Sequence, residues 1–511
     1  MNDAKPNLFI ASIGLGDYIP TIYATDDGQA IQAKYVQNAI RKIFAPDAAA
    51  LVFATRTALK KFFPDDHALP PLLDHRKARD GAEQDSLFRL FSQNFYQECE
   101  RLGLSFPETI EIPDGKNVGE LWQIFRILYE RIPENARICF DPTHAFRHHP
   151  IIMTILFNYL HVMKNVDVVC CEYGAFELNM KGKALLRHVN SLLEATRGES
   201  MSAVAQEPAQ EQEDRSPLFP ITEFFLLNDW TNAIHDFLEY GRTIALRRLV
   251  EEKDGIISTE DKKSIQRFVN TLDRLAEYAL FSNLYEIERI KYGEDILSPL
   301  QEIQRTKKGL DALPQLVPLF SRLERLLGQF RFSSAPSWRN GFAMARWCNR
   351  FKLYPQLYTI LQETCVSACA DVFLKPGRAF FDADELNRAK LFNDGLECRN
   401  FISVLLAIEC RVLDRPHKCR WPLIPAGVKK CDGNEPRLVL GRKLLKNDAF
   451  LTLREKYAYV TKIRNAINHG FTADRDEIPE GIIQSNAEEA INGLEELFLG
   501  ALSSMEDANC G

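Results

Sequence analysis

The sequence predicts an α/β domain built on a parallel-rich, doubly wound sheet, followed by an all-α domain. Three observations carry this reading. Over the first 180 residues, short runs rich in Val, Ile and Phe alternate with stretches of helical spacing, the pattern of parallel strands joined by crossover helices. Residues 201–216, MSAVAQEPAQEQEDRS, are rich in Gln and Glu and poor in core-forming side chains, which reads as a linker. From about residue 217 the chain turns to long amphipathic stretches with few strand signals. The expected division is therefore 1–185 for the α/β domain, 186–216 for the linker and 217–511 for the helical domain, with a possible loop-rich insertion at 412–440.

The expected strands are LFIASIG (8–14), ALVFAT (50–55), TIEIP (109–113), ARICFD (136–141) and VDVVCCEYG (166–174), each bounded by Gly, Pro or Asp. Between them, GQAIQAKYVQNAIRKIF places Val36, Ile40 and Ile43 at helical spacing, and NVGELWQIFRILYERI reads as a second crossover helix. In the second half, residues 222–252 and 263–290 read as amphipathic helices. The last helix opens with Ser485 and Glu488 at capping-box spacing and continues with Ile491, Leu494 and Phe498 on one face. The insertion is inferred from Pro416, Pro422, Pro425, Gly427 and Gly433, which break any helix.

Composition narrows the function classes. The chain is 46% hydrophobic and 26% charged, the balance of a water-soluble globular protein. A net charge of −7 argues against a surface coated in base, yet leaves room for a local basic cleft. The N-terminal MNDAKPNLFIASIGLG lacks the pattern of a signal peptide. No uninterrupted run of ~18 apolar residues is present, so no membrane span is expected. Twelve cysteines without regular spacing fit reduced thiols, and a cytoplasmic location is expected. Cys398, Cys410, His417, Cys419 and Cys431 lack C-x-x-C spacing and are read as free thiols, with no metal site.

Two constellations carry chemistry. In open α/β sheets, ligands bind beyond the carboxyl ends of the strands, where helix N-termini and loop amides accept anions. Here those ends hold Gly14, Leu15, Gly16 and Asp17 after the first strand, Thr55 and Arg56 after the second, and Thr143, His144 and Arg147 after the fourth. Glycines allow close backbone approach, Thr and amides donate hydrogen bonds, and His and Arg suit phosphate or adenine edges, so a phosphorylated ligand is expected. GLG falls short of a full G-x-G-x-x-G, which argues against simple dinucleotide binding. His148 and His149 read as helix-start residues.

The second constellation is RNAINHG (464–470). As a helix, REKYAYVTKIRNAINHGF puts Tyr457, Val460, Ile463 and Ile467 on an apolar stripe, with Thr461, Arg464, Asn465 and Asn468 turned away from it. His469 follows one turn beyond Asn465, and Gly470 reads as the residue ending the helix. A helix C-terminus favours imidazolium, which suits His469 to proton donation. These groups fit metal-free RNA cleavage: a 2′-hydroxyl attacks phosphorus, His transfers the proton and Arg neutralises the developing charge. The spacing by itself is loose. RVLDRPH, with Arg411 and His417, satisfies it too, but with Pro416 beside the His and no Asn after the Arg it reads as a chance match; a solvated helix face remains an equal reading of the motif taken alone.

DPTHAFRHHP (141–150), SIGLGDYIPTIY (12–23), YGAFE (173–177) and LNDWTNAIHDFLEYG (227–241) together resemble the CRISPR-associated proteins that join a CRISPR-associated Rossmann fold (CARF) domain to a helical HEPN nuclease. The family usually has Gly where this chain has Ala145. The resemblance implies cyclic oligoadenylate, with the tetra-adenylate ring favoured, as allosteric activator at the strand-end residues. It implies Arg464, Asn465 and His469 as the catalytic set for single-stranded RNA, working without metal and leaving 2′,3′-cyclic phosphate ends. It also implies a homodimer, or a higher homo-oligomer, in which two copies of the motif face each other. The alternatives are a non-catalytic cyclic-oligoadenylate sensor that dimerises, and slow degradation of the activator assisted by Thr143 or His144.

Overall fold

The computed structural model describes residues 6–16, 18–63, 93–144, 148–179, 215–252, 259–305, 316–330, 337–375, 380–392, 394–408, 422–423, 434–470 and 480–510. The chain divides into two units, Met1–Asn228 and Asp229–Gly511.

The first unit is organised by an eight-stranded sheet of β1 (Leu8–Ile13), β2 (Thr21–Ala24), β3 (Ala30–Ala33), β4 (Ala49–Thr55), β5 (Glu108–Ile112), β6 (Arg137–Asp141), β7 (Asp167–Gly174) and β8 (Arg215–Pro220), in the order β3-β2-β8-β7-β6-β1-β4-β5. Strands β7, β6, β1, β4 and β5 run parallel. Strand β8 is antiparallel to β7, β2 is parallel to β8, and β3 is antiparallel to β2. The sheet is therefore mixed and mostly parallel.

Every residue of β1 is buried, as a strand covered on both faces requires. Leu8 and Ile10 join the core formed with the helices Val118–Arg131 and His148–Lys164, through Ile124, Leu128, Leu156 and Leu160. Phe9 and Ala11 point the other way, onto Val36, Ala39 and Ile40 of the Val36–Phe44 helix. The alternation of two cores along one strand is the period-two geometry of a sheet with helices on each face.

Three differences from the sequence reading have clear causes. The helix expected over GQAIQAKYVQNAIRKIF begins only at Val36, because Ala30–Ala33 pairs as β3 with β2. Strand β8 extends the sheet just where a linker was expected to end, so the chain from 217 begins inside the first unit and divides after Asn228. Ser485 is not a cap: the last helix runs Glu480–Cys510, and its capping-box spacing falls within the helix. Most of 186–216 and of 412–440 lies outside the described residues, although Pro436 begins the Pro436–Leu444 helix.

The described part of the second unit is helical. Its core joins the helices Arg339–Arg350, Tyr354–Leu374, Gly395–Ala407, Asp448–Asn468 and Glu480–Cys510. The Tyr354–Leu374 helix is long and apolar enough to cross a membrane by length and composition, although Gln362 and Glu363 interrupt its apolar run. Of its apolar window 67% is buried within the unit, as expected for a core helix that is hydrophobic nearly all round. Among the described residues, eight cysteines are free and buried, and no group of three or more His, Cys, Asp or Glu is placed to hold a metal ion. Cys410, His417, Cys419 and Cys431 lie outside the described residues.

Gly341 lets the Arg339–Arg350 helix approach the Tyr354–Leu374 helix closely. A methyl group there would sit 2.2 Å from Thr364 Oγ1 and 2.8 Å from its Cγ2. Gly341→Ala is predicted to destabilise the helical unit by about 1–3 kcal/mol, through overpacking. Denaturant unfolding followed by circular dichroism checks this; an unchanged midpoint contradicts the close approach.

Candidate functional site

The parallel strands deliver the first constellation to one sheet edge. Chain order runs from β1 outward to β4 and β5, then returns to β6 on the other side of β1. In open α/β sheets such a reversal, here between β1 and β6, marks the place beyond the carboxyl ends where ligands bind. Gly14 follows β1, and Thr143 and His144 follow β6, so both loops at this switch point carry expected residues. A Cβ built on Gly14 would lie 3.9 Å from His144 Cβ, which confirms that the two loops meet.

A polar and aromatic framework holds the loops. Thr143 N–H donates to Asp141 Oδ1 at 2.8 Å, an Asx-type turn that ends β6. Gly174 N–H donates to Thr143 Oγ1 at 2.9 Å and ties β7 to the same loop. Tyr18 packs edge-on against the His144 ring, with centroids 4.8 Å apart, and its hydroxyl accepts from Gly14 N–H at 3.1 Å. Lys61 Nζ donates to the Leu15 carbonyl at 3.0 Å, placing a cation over the exposed first loop. Thr55 is buried and caps the Arg56–Phe62 helix, accepting from Ala58 N–H at 3.5 Å, while Arg56 is exposed. Tyr18, Lys61, Asp141 and Gly174 were not among the expected site residues. Tyr18, Asp141 and Gly174 lie inside the motifs that carry the family resemblance, whereas Lys61 carries no signal in sequence. Asp17 and Arg147 lie outside the described residues.

Burial shapes the chemistry of this edge. It lowers the His144 pKa from 6.5 to about 4, against an opposing pull from the Glu177 carboxylate. The imidazole is thus neutral near pH 7, a donor and acceptor suited to a base edge rather than a counter-charge for phosphate. Asp141 is fully buried, and its Oδ2 has no hydrogen-bond partner among the described residues. Desolvation raises its pKa from 3.8 to about 7, although the Thr143 hydrogen bonds act to lower it.

The second constellation closes the Asp448–Asn468 helix. Asn447 caps its start, accepting from Phe450 N–H at 2.9 Å. Phe450, Leu453, Tyr457, Val460, Ile463 and Ala466 form its buried stripe, and Ile467 is only half-buried. That stripe turns Arg464 and Asn465 to the rim. Arg464 Nη1 donates to Asn465 Oδ1 at 3.1 Å, and its Nε is buried without a partner among the described residues. The guanidinium is thereby held against Asn465 at the rim of the helix. His469 is the exposed C-cap residue, its N–H donating to the Asn465 carbonyl at 2.9 Å, and Gly470 takes φ +59°, the left-handed ending the sequence predicts. Arg464, Asn465 and His469 thus occupy the last turn of one helix. Arg411 and His417, the chance match to the same spacing, lie outside the described residues.

No family model matches the chain. Among curated proteins, the chain is similar to a CRISPR-associated protein of Methanocaldococcus jannaschii, 25% identical over 168 residues, which are 32% of this chain and 22% of the relative's length. The chain therefore spans well under half of that relative. Among solved structures, Enterococcus italicus Csm6 bound to cyclic hexa-2'-fluoro-hexa-dAMP aligns with a TM-score of 0.39 and 12% identity, covering 97% of this chain and 94% of that one. The resemblance to CRISPR-associated proteins read from the motifs is matched by a curated relative of that description.

The buried carboxyl gives a pH prediction. Asp141 has a folded pKa above its unfolded value, so its contribution is complete below about pH 4 and is lost as pH rises through about 7. Glu172, raised by burial to about 7, works in the same direction, whereas the depressed His144 costs stability as pH falls from 6.5 towards 4. Comparing Asp141→Asn with the parent isolates the first effect. The variant is expected to lose less stability than the parent between pH 6 and pH 8, measured by thermal unfolding; parallel curves would contradict a buried, protonatable Asp141.

Proposed function

We propose that this chain is a CARF–HEPN protein of type III CRISPR defence: a metal-independent endoribonuclease switched on by cyclic oligoadenylate. The observation that carries the reading is the placement of Arg464, Asn465 and His469 on one helix end, in a chain whose other unit gathers Gly14, Thr143 and His144 at a topological switch point. The curated CRISPR-associated relative supports the biological setting.

In the reaction, the 2′-oxygen of a ribose forms a bond to the adjacent phosphorus as the bond to the 5′-oxygen breaks. The 2′-hydroxyl proton leaves to a base, and the departing 5′-oxygen takes a proton from an acid. His469 supplies proton transfer, and Arg464 meets the charge building on the phosphoryl oxygens. Asn465 holds the Arg464 guanidinium through its side-chain oxygen. The products are a 2′,3′-cyclic phosphate and a 5′-hydroxyl, with no metal required. At the sheet edge, backbone amides and Lys61 meet phosphate while neutral His144 reads adenine; cyclic tetra-adenylate is the favoured ring, since its symmetry suits a two-fold site. The first unit corresponds to a CARF domain and the second to a HEPN domain in a cytoplasmic homodimer.

The His148–Lys164 and Val118–Arg131 helices support dimerisation, because Trp122, Ile151, Ile155, Tyr159 and Val162 leave a broad apolar face exposed. Ile155→Glu is predicted to lower the sedimentation mass, and an unchanged mass counts against this face. Arg464→Ala and His469→Ala are each predicted to lower kcat/KM for single-stranded RNA on the order of 10²–10⁴-fold with cyclic-oligoadenylate affinity unchanged. Cleavage that persists in both variants places the reaction elsewhere, and a wild type that binds the ring without cutting RNA favours a sensor.

A further inference from the structure

Beside the proposed cleavage residues, the described part of the helical unit holds a second feature with chemical content. A groove of about 590 Å³ runs along the Asp448–Asn468 helix and is closed on one side by Leu406 and Ala407, at the end of the Gly395–Ala407 helix. That size lies within the ~300–1,000 Å³ of sites that take small organic groups. Leu451, Glu455, Ala458, Lys462 and Asn465 line it at spacings of three or four, so they form one row on the helix. His469 is the next position in that row. The groove therefore leads along the helix into the residues assigned to cleavage.

Its lining is divided by chemistry. Leu406, Ala407, Leu451 and Ala458 give an apolar surface, and Tyr457 adds a ring whose hydroxyl is held by Gln362 Nε2 at 3.1 Å. Glu455 and Lys462 are exposed at the rim. Arg454 also lines the groove, but its guanidinium is held by the Leu406 and Ile408 carbonyls, so an apolar surface beside the exposed Glu455 carboxylate and Lys462 ammonium matches a nucleotide: base on the surface, exocyclic amine to the carboxylate, backbone phosphate to the ammonium.

Resting on the ribonuclease reading, we infer that this groove seats the RNA nucleotide next to the scissile phosphate, and that Glu455 selects a base bearing an exocyclic amine over uracil. Lys462 holds the neighbouring phosphate. Continuity through Asn465 favours RNA as the occupant over a peptide segment.

The test maps cleavage of an RNA containing every dinucleotide, with cyclic oligoadenylate present, for the full-length wild type and for Glu455→Ala, Lys462→Ala and Ala458→Trp. Wild type is expected to cut beside adenine, cytosine or guanine in preference to uracil, and Glu455→Ala to reduce that preference about tenfold. Lys462→Ala is expected to raise KM with kcat retained and to weaken the salt dependence. Ala458→Trp fills the groove and is expected to slow cutting at every site while leaving cyclic-oligoadenylate affinity, the folding control, unchanged. An unaltered cleavage map in Glu455→Ala and Ala458→Trp overturns the inference. So does an unaltered map with a changed sedimentation mass, which marks the groove as a subunit contact. Binding of a fluorescent 2′-fluoro RNA, which lacks the attacking hydroxyl, separates this inference from the reading beneath it. If wild type cuts nothing, the ribonuclease reading fails, yet Ala458→Trp must still weaken binding of that RNA; equal binding overturns the groove on its own.

Discussion

The position of β1 between β4 and β6, parallel to both and buried on both faces, is the constraint on which the first unit depends. Because all three strands point the same way, their carboxyl ends lie at one edge. Because the chain order reverses across β1, the loops that follow β1 and β6 lead to helices on opposite faces of the sheet and meet where open α/β sheets bind ligands. Gly14, Thr143 and His144 come together for that reason alone, though they are far apart in sequence. The framework around them is made of ordinary interactions: an Asp141 turn, a Thr143 hydroxyl tied to Gly174, and Tyr18 packed on His144. Burial then decides their protonation, leaving His144 neutral and making the Asp141 carboxyl protonatable near neutrality.

The second unit applies a different constraint to the same end. The Asp448–Asn468 helix buries one stripe against its neighbours, so every other residue is assigned a direction by the 3.6-residue period. Arg464 and Asn465 are carried to the rim, and Gly470, in the left-handed conformation, stops the helix immediately after His469. The groove beside Asn465 follows from the same geometry, since small Ala458 leaves space where Leu451 and Leu406 supply apolar walls.

Much of this was legible in sequence where the local signal and the tertiary setting agree. Strands β1, β4, β5, β6 and β7 fall within a residue or two of their expected bounds, because buried parallel strands require continuous runs of Val, Ile and Phe. Strands β2 and β3 have four residues each, and β8 contains two prolines, so none carries a strand-length apolar run. Their pairing is decided by the sheet they join, which no local pattern reports. The helix ending at His469 was legible from its stripe and its glycine. Lys61, which reaches the Leu15 carbonyl from 46 residues away, was not. Neither was the burial of Asp141, a carboxyl whose environment depends on strands on both sides of β6.

The central claim is that occupation of the sheet edge in one unit controls RNA cleavage by the helix end in the other. Its most direct test is the rate of cleavage of a fluorescent single-stranded RNA in EDTA, titrated with cyclic tetra-adenylate and, separately, with cyclic hexa-adenylate. The account predicts negligible cutting without a ring and saturable activation by one of them, the tetra-adenylate ring being favoured. Cleavage at the same rate with and without either ring, or none under any condition despite measurable ring binding, would contradict it.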